Sequence, residues 1–345
     1  MKRFVCLLAA GIIAAAVLPA QRVTLKIASV APSRSPWDIE QKKLAEEWAR
    51  ITDGRVTITF YDANAQGGES GVIRKMRTVR PGQRSPIDGA VFTSLGIYEL
   101  APDSNVMTLC VPFLFRDQDE LDLILDEFSD TMKQPIIDKG YELLGWFNVG
   151  WAYFFTKEQA VTPAELKSMK LSVGGFTSPE LGAAFKACGF TTEDVPNEKI
   201  MQSIRSANGI EGLYTIPMYA YAARYYESLP YMLDLPICPV MSAFVVSKSA
   251  WESVPDEFKP ELLAAVRAAE SKFIAVQQES DSEYLGLMET EGAVRVQLTP
   301  DQLQLWEDTL GADADRLADS RNSIIDADFY QEITEILERH RAGAQ

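Results

Sequence analysis

Ser-His-Asp and Cys-His catalysis and histidine-based zinc or iron sites need histidine, and this 345-residue chain has one. It is His340, in the charged tail Glu338-Arg339-His340-Arg341. Thiol chemistry is equally thin. Cys6 lies in an N-terminal apolar run, and Cys110, Cys188 and Cys238 sit far apart among apolar neighbours with no CxxC pair. These are buried thiols; the pattern is neither a disulfide framework nor a metal site, and one bridge among the three is left open. Glu69 with Asp88, or Glu211, could supply the paired carboxylates of a glycosidase. With 49 acidic residues, however, surface and capping roles account for them and nothing singles out a pair. No catalytic residue, metal ligand or cofactor motif is assigned. The 33 basic residues leave a net charge of −16, which disfavours phosphate-backbone contacts with nucleic acid and docking on anionic membranes.

The N-terminus carries an address. Lys2 and Arg3 precede an uncharged apolar run over residues 4–18, followed by Pro19-Ala20 and the polar Gln21-Arg22. That is the layout of a secretory signal peptide over residues 1–20, implying a periplasmic location. The run is short for a membrane span, although an uncleaved anchor remains an alternative.

The elements behind this segment must position whatever the chain binds. Alternation predicts strands over 23–29, 56–60 and 87–92, separated by helices over 37–51 and 70–79. That is the pattern of βαβ units. A helix over 118–139 and strands over 141–147 and 151–156 follow. A second series has strands over 170–173, 209–213 and 242–247, with helices over 179–187 and 198–206. Residues 255–288 then form a nearly uninterrupted run of strong helix formers. At about 1.5 Å per residue it is longer than a small domain is wide, so it must lie across more than one lobe. A last strand over 294–298 and helices over 300–318 and 325–341 finish the chain. The fold class is α/β, a two-lobed binding protein with hinge strands near 147–150 and 235–240. Lobe I takes residues 21–147 plus about 236–262, and lobe II takes 148–235 plus about 263–320. Residues 321–345 form a C-terminal helix. A cleft between two such lobes is where a small ligand binds.

In order along the chain stand Gly67-Gly68-Glu69, Ile87-Asp88-Gly89, Val111-Pro112-Phe113-Leu114-Phe115-Arg116-Asp117, Leu144-Gly145-Trp146, Thr162-Pro163-Ala164-Glu165-Leu166-Lys167-Ser168-Met169-Lys170-Leu171 and Ile210-Glu211-Gly212. In order and spacing these resemble the extracytoplasmic solute receptors of TRAP transporters, the DctP-like family, from about Leu25 to Leu337. The resemblance implies a receptor, not an enzyme, that delivers its ligand to TRAP membrane permease subunits driven by an ion gradient. In some relatives a periplasmic helical-repeat protein is a further partner. The local basic cluster Arg74, Lys75, Arg77, Arg80 and Arg84 reads as a solvated face, with docking on the carrier as its functional alternative.

The departures from the family pattern bear on the ligand. Where the family has an arginine that pairs with a substrate carboxylate, this chain has Ser172; where many members have a second, it has Ala152. Leu213-Tyr214-Thr215 replaces the usual "x-E-N". Neither Ser172 nor Ala152 offers the paired donors of a guanidinium. The segments expected at the cleft carry instead Trp37, Gln66, Phe113, Phe115, Trp151, Tyr153, Ser172, Phe176, Tyr214, Thr215, Met218 and Tyr219. The expected ligand is therefore hydrophobic or amphipathic. The alternatives are an organic acid held by a non-standard cation, or an interaction protein that has lost its ligand.

Overall fold

The computed structural model describes residues 22–77, 85–173, 179–320 and 323–343. The signal segment 1–20, Phe176, Arg80 and Arg84 fall outside them. In chain order the elements are β1 (Val23–Ser29), α1 (Pro36–Ile51), β2 (Val56–Asp62), α2 (Gly68–Arg77), β3 (Gly89–Thr93), α3 (Ser94–Leu100), α4 (Gln118–Asp138) and β4 (Tyr141–Trp151). Next come β5 (Tyr153–Thr156), α5 (Pro163–Ser168), β6 (Lys170–Val173), α6 (Pro179–Ala187), β7 (Thr191–Thr192), α7 (Ile200–Arg205), β8 (Gly212–Thr215), α8 (Pro217–Ala222) and β9 (Tyr231–Leu233). The chain ends with β10 (Pro239–Ser247), α9 (Lys248–Glu252), α10 (Lys259–Thr290), β11 (Val294–Val296), α11 (Pro300–Ala318) and α12 (Ala327–Gly343).

Local chemistry sets the boundaries. Ser35 caps α1 by accepting from the Asp38 amide, and Asp117 caps α4 from the Glu120 amide. Thr162 with Glu165 and Thr299 with Gln302 form reciprocal capping boxes, each followed by proline at the first helical position. The strand expected at 209–213 begins instead at Gly212. Gly209 is held in a turn, its amide bonded to Ser206 O, and the Ile210 amide donates to Ser203 Oγ.

Two mixed sheets result, ordered β2-β1-β3-β10-β4 and β11-β9-β5-β8-β6-β7. The βαβ reading holds for β1, β2 and β3, which are parallel. It does not extend to β10, which returns from the second sheet and lies antiparallel between β3 and β4. The chain therefore crosses between sheets at β4–β5 and again between β9 and β10. These crossings are bonded to each other, Ala152 N to Cys238 O and Ile237 N to Ala152 O, each at 2.9 Å.

Helix α10 has 32 residues, roughly 48 Å, and joins both sheets. Leu262 and Val266 near its start pack in the first sheet's core, while Leu285 and Met288 near its end pack in the second's. Phe273 between them belongs to a small cluster with Trp37, Val149, Ile216 and Met218, drawn from both sheets. Helix α12 returns to the first sheet's side: Phe329 meets Phe128 edge-on at 5.1 Å, and Arg341 pairs with Glu120 at 2.6 Å. No helix among the described residues is long and apolar enough to cross a membrane.

Candidate functional site

Where the two sheets meet, an apolar cavity of about 150 Å³ opens. Its walls come from segments far apart in sequence. Thr93, Ser94 and Cys110 line it from the first sheet's side, and Trp37 reaches it from α1. Phe154, Phe185 and Tyr214 supply an aromatic wall from the second sheet's side, with Tyr214 4.8 Å from Phe154 and 5.3 Å from Phe185 between ring centres. Leu310 and Asp313 of α11 and Ile325 beyond it close another side.

The polar groups here are almost all neutral. Tyr214 Oη and Cys238 Sγ lie 2.8 Å apart. Burial pushes the tyrosine hydroxyl well above its ordinary range, and burial likewise raises the Cys238 and Cys110 thiols and moves Cys188 to about 11. All three cysteines are free thiols and all three line this cavity. Among the described lining residues Asp313 alone is charged, and it is already paired. Its Oδ2 is 2.6 Å from Lys167 Nζ, and its Oδ1 is 3.1 Å from Arg316 Nη2.

A second, wider space of about 1430 Å³ has a mixed lining of charged and apolar residues and lies between α2 and α3 on one side and α6 and α8 on the other. Glu69, Glu99, Glu180 and Glu198 face it together with Arg74. Leu95 lines both spaces, so the apolar cavity adjoins this acid-rich cleft.

Of the residues expected at the site, Trp37, Tyr214 and Thr215 line the cavity, as does Ala152. Tyr219 faces the wide cleft. The others stand elsewhere for physical reasons. Phe115, in the loop before α4, Tyr153 on β5 and Met218 on α8 are packed into cores. Trp151 packs between two of those cores, and Phe113 packs beside the second sheet's core with a backbone φ of +59°. Ser172 is 2% exposed on β6, opposite Leu213. Gln66 accepts from Lys75 Nζ at 2.8 Å, outside the cavity lining. Sequence reasoning missed Phe154, Phe185 and the α11 residues. An aromatic count offers a signal for the first two; nothing local marks Leu310 or Asp313, because their role comes from a contact made more than 100 residues away in sequence.

Residues 27–320 match the family described as bacterial extracellular solute-binding protein, family 7, or DctP. The chain belongs to this family. Members are solute receptors, not enzymes. A solute-binding protein of Roseobacter denitrificans is 22% identical over 81% of this chain and 83% of its own. The fold of this family 7 chain is that of solved receptors. A TRAP periplasmic solute-binding protein from Ralstonia eutropha, solved with bound (S)-2-acetolactate, is 21% identical with a TM-score of 0.77, covering 92% and 99% of the two chains. The sugar acid binding protein DctPAm from Advenella mimigardefordensis, in complex with galactonate, is 14% identical with a TM-score of 0.80 over 92% and 99%.

Two buried carboxylates and one half-buried one give this family 7 chain a pH signature. Burial raises Glu69 to about 7 against two hydrogen bonds from Thr93, Asp281 to about 7 against bonds from Trp151 and Gln277, and Glu270 to about 7 against one from Trp146. In the unfolded chain these groups ionise at their ordinary values of 4.5 for Glu and 3.8 for Asp. Between those values and about 7 the folded state binds more protons than the unfolded one. Their contribution to stability therefore falls as pH rises through that window, then levels off. The urea midpoint should decline between about pH 5 and pH 7. Glu270→Gln should flatten part of that decline; an unchanged slope would show that Glu270 ionises normally in the fold.

Proposed function

We propose that this chain is the receptor of a TRAP-type transporter for a small, uncharged, largely apolar molecule. The ligand sits in the cavity between the sheets and is passed to membrane permease subunits from the periplasm, after removal of the segment 1–20. A periplasmic helical-repeat partner rests on the resemblance alone. The observation that carries the ligand reading is electrostatic. No cation lines the cavity among the described residues, and its one carboxylate is satisfied by Lys167 and Arg316. A ligand carboxylate there would be a buried charge without a partner, which costs several kcal/mol. The volume, about 150 Å³, suits a ligand of benzene size. Closure about the crossings near 147–150 and 235–240, between lobes I and II, is part of the same reading.

A second reading keeps the organic acid, and Arg74 favours it, because its side chain faces the wide cleft. The relatives solved with acetolactate and galactonate bind acids. Mass spectrometry of organic extracts from the purified mature protein, against a mock purification, separates the readings. A stoichiometric neutral apolar molecule is the expected result. A small carboxylic acid would move the site to the Arg74 cleft and overturn the apolar reading. No bound molecule, together with no heat on titration with either benzene or galactonate, would favour an interaction protein on a receptor fold.

A further inference from the structure

Helix α10 is fastened to the crossing strand β4 by side chains that accept from the strand's own backbone. Glu270 accepts from the Trp146 amide at 3.0 Å, and Asp281 accepts from the Trp151 amide at 3.0 Å. Gly145 and Gly150 permit this closeness. A Cβ on Gly145 would fall 2.3 Å from Glu270 Oε1, and one on Gly150 would fall 2.7 Å from Gln277 Nε2. Gly150 also has φ +131°, a backbone conformation that side chains disfavour.

The second fastening continues to the cavity. Gln277 is 4% exposed and uses both ends of its amide. Its Nε2 donates to Asp281 Oδ1 at 2.7 Å, and its Oε1 accepts from Trp37 Nε1 at 3.0 Å. Trp37 lines the cavity and packs on Phe273 with ring centres 6.1 Å apart. A closed hydrogen-bond chain thus runs Trp37, Gln277, Asp281, Trp151 amide. It links α1 on the first sheet, the spanning helix, and the residue at which the chain leaves for the second sheet. The first fastening, at Glu270, has no such extension to Trp37 and serves as an internal control.

We infer that Gln277 is a positioning residue that couples the cavity wall to the hinge: it sets the Trp37 ring and the Gly150–Trp151 peptide together, so that filling the cavity and fixing the crossing strand are one event. The inference rests on the receptor reading above for what fills the cavity, but the link from Trp37 to Trp151 exists without a ligand. Amide groups suit the role because one end donates and the other accepts, so the direction of the chain is defined. At low exposure, each link is costly to leave unmade, and loss of one is felt by the next.

The test is amide hydrogen exchange of the ligand-free protein at Trp151 and Trp146, in the wild type, Gln277→Met and Trp37→Phe. Gln277→Met keeps length and burial and removes both bonds. Trp37→Phe removes only the donor at the far end, and it guards against a Gln277 variant that fails to fold. Exchange at Trp151 should rise about tenfold in both variants and stay within about twofold at Trp146. The double variant should be no faster than Gln277→Met alone. Unchanged exchange at Trp151 in Trp37→Phe would overturn the link, as would equal acceleration at both amides, which marks general loosening. In a second arm, saturating benzene should slow Trp151 exchange about threefold in the wild type and not in Gln277→Met. Benzene that binds by calorimetry without slowing exchange would overturn the coupling. Benzene that does not bind would count against the apolar-ligand reading, while the ligand-free arm still decides the link.

Discussion

Ser172→Arg should cost the fold about 3–5 kcal/mol, read as a drop in the urea midpoint. Ser172 is 2% exposed on β6, the strand next to the edge of the second sheet. Its register partner Leu213, and Phe155 across the next strand, pack in that sheet's aromatic core. A guanidinium placed on that face would be a buried charge with no ion opposite it. The substitution restores the residue that the family pattern has at this position, so it also tests the ligand. A variant within about 1 kcal/mol of wild type that binds galactonate would show that this position reaches the cleft. It would also show that the missing arginine alone separates this chain from an acid receptor, and the apolar reading would fall.

Ala184→Phe should do the opposite, removing binding while keeping the fold. Ala184 lies on α6, is 9% exposed and lines the cavity. A ring grown from its Cβ would occupy space otherwise open to a ligand in a cavity of only about 150 Å³. Benzene affinity should fall at least about thirtyfold, some 2 kcal/mol. Stability should hold or rise, since filling a cavity without strain commonly adds about 0.5–2 kcal/mol. Calorimetric titration with paired melting curves makes the check. Undiminished benzene binding in the variant would place the bound molecule somewhere other than this cavity.

From the sequence, Ser172 reads as a cleft residue because the family places an arginine there. In the fold it is a core position of a strand. An arginine side chain extends six heavy atoms past its Cβ, whereas a serine ends one atom beyond, at its hydroxyl. The residue type thus decides whether the position belongs to the site at all. Phe115, Tyr153 and Met218 make the related point. Aromatic and sulfur side chains look the same in sequence whether they line a cavity or fill a core, and packing places these three in cores.

Residue order alone carries the α/β class, the long helix that meets both sheets, most element boundaries and, through a series of ordered motifs, the resemblance to family 7. All but the last depend on local periodicity, capping residues or composition, which neighbouring residues settle among themselves. Long-range packing sets the rest: β10 returns to the first sheet, three cysteines scattered over more than a hundred residues line one cavity, and Asp313 is paired with Lys167 and Arg316. The Trp37–Gln277 bond spans 240 residues. No periodicity encodes such a pair: Gln277 reads as one more polar residue on a long helix until packing removes water and leaves Trp37 and Asp281 as its partners.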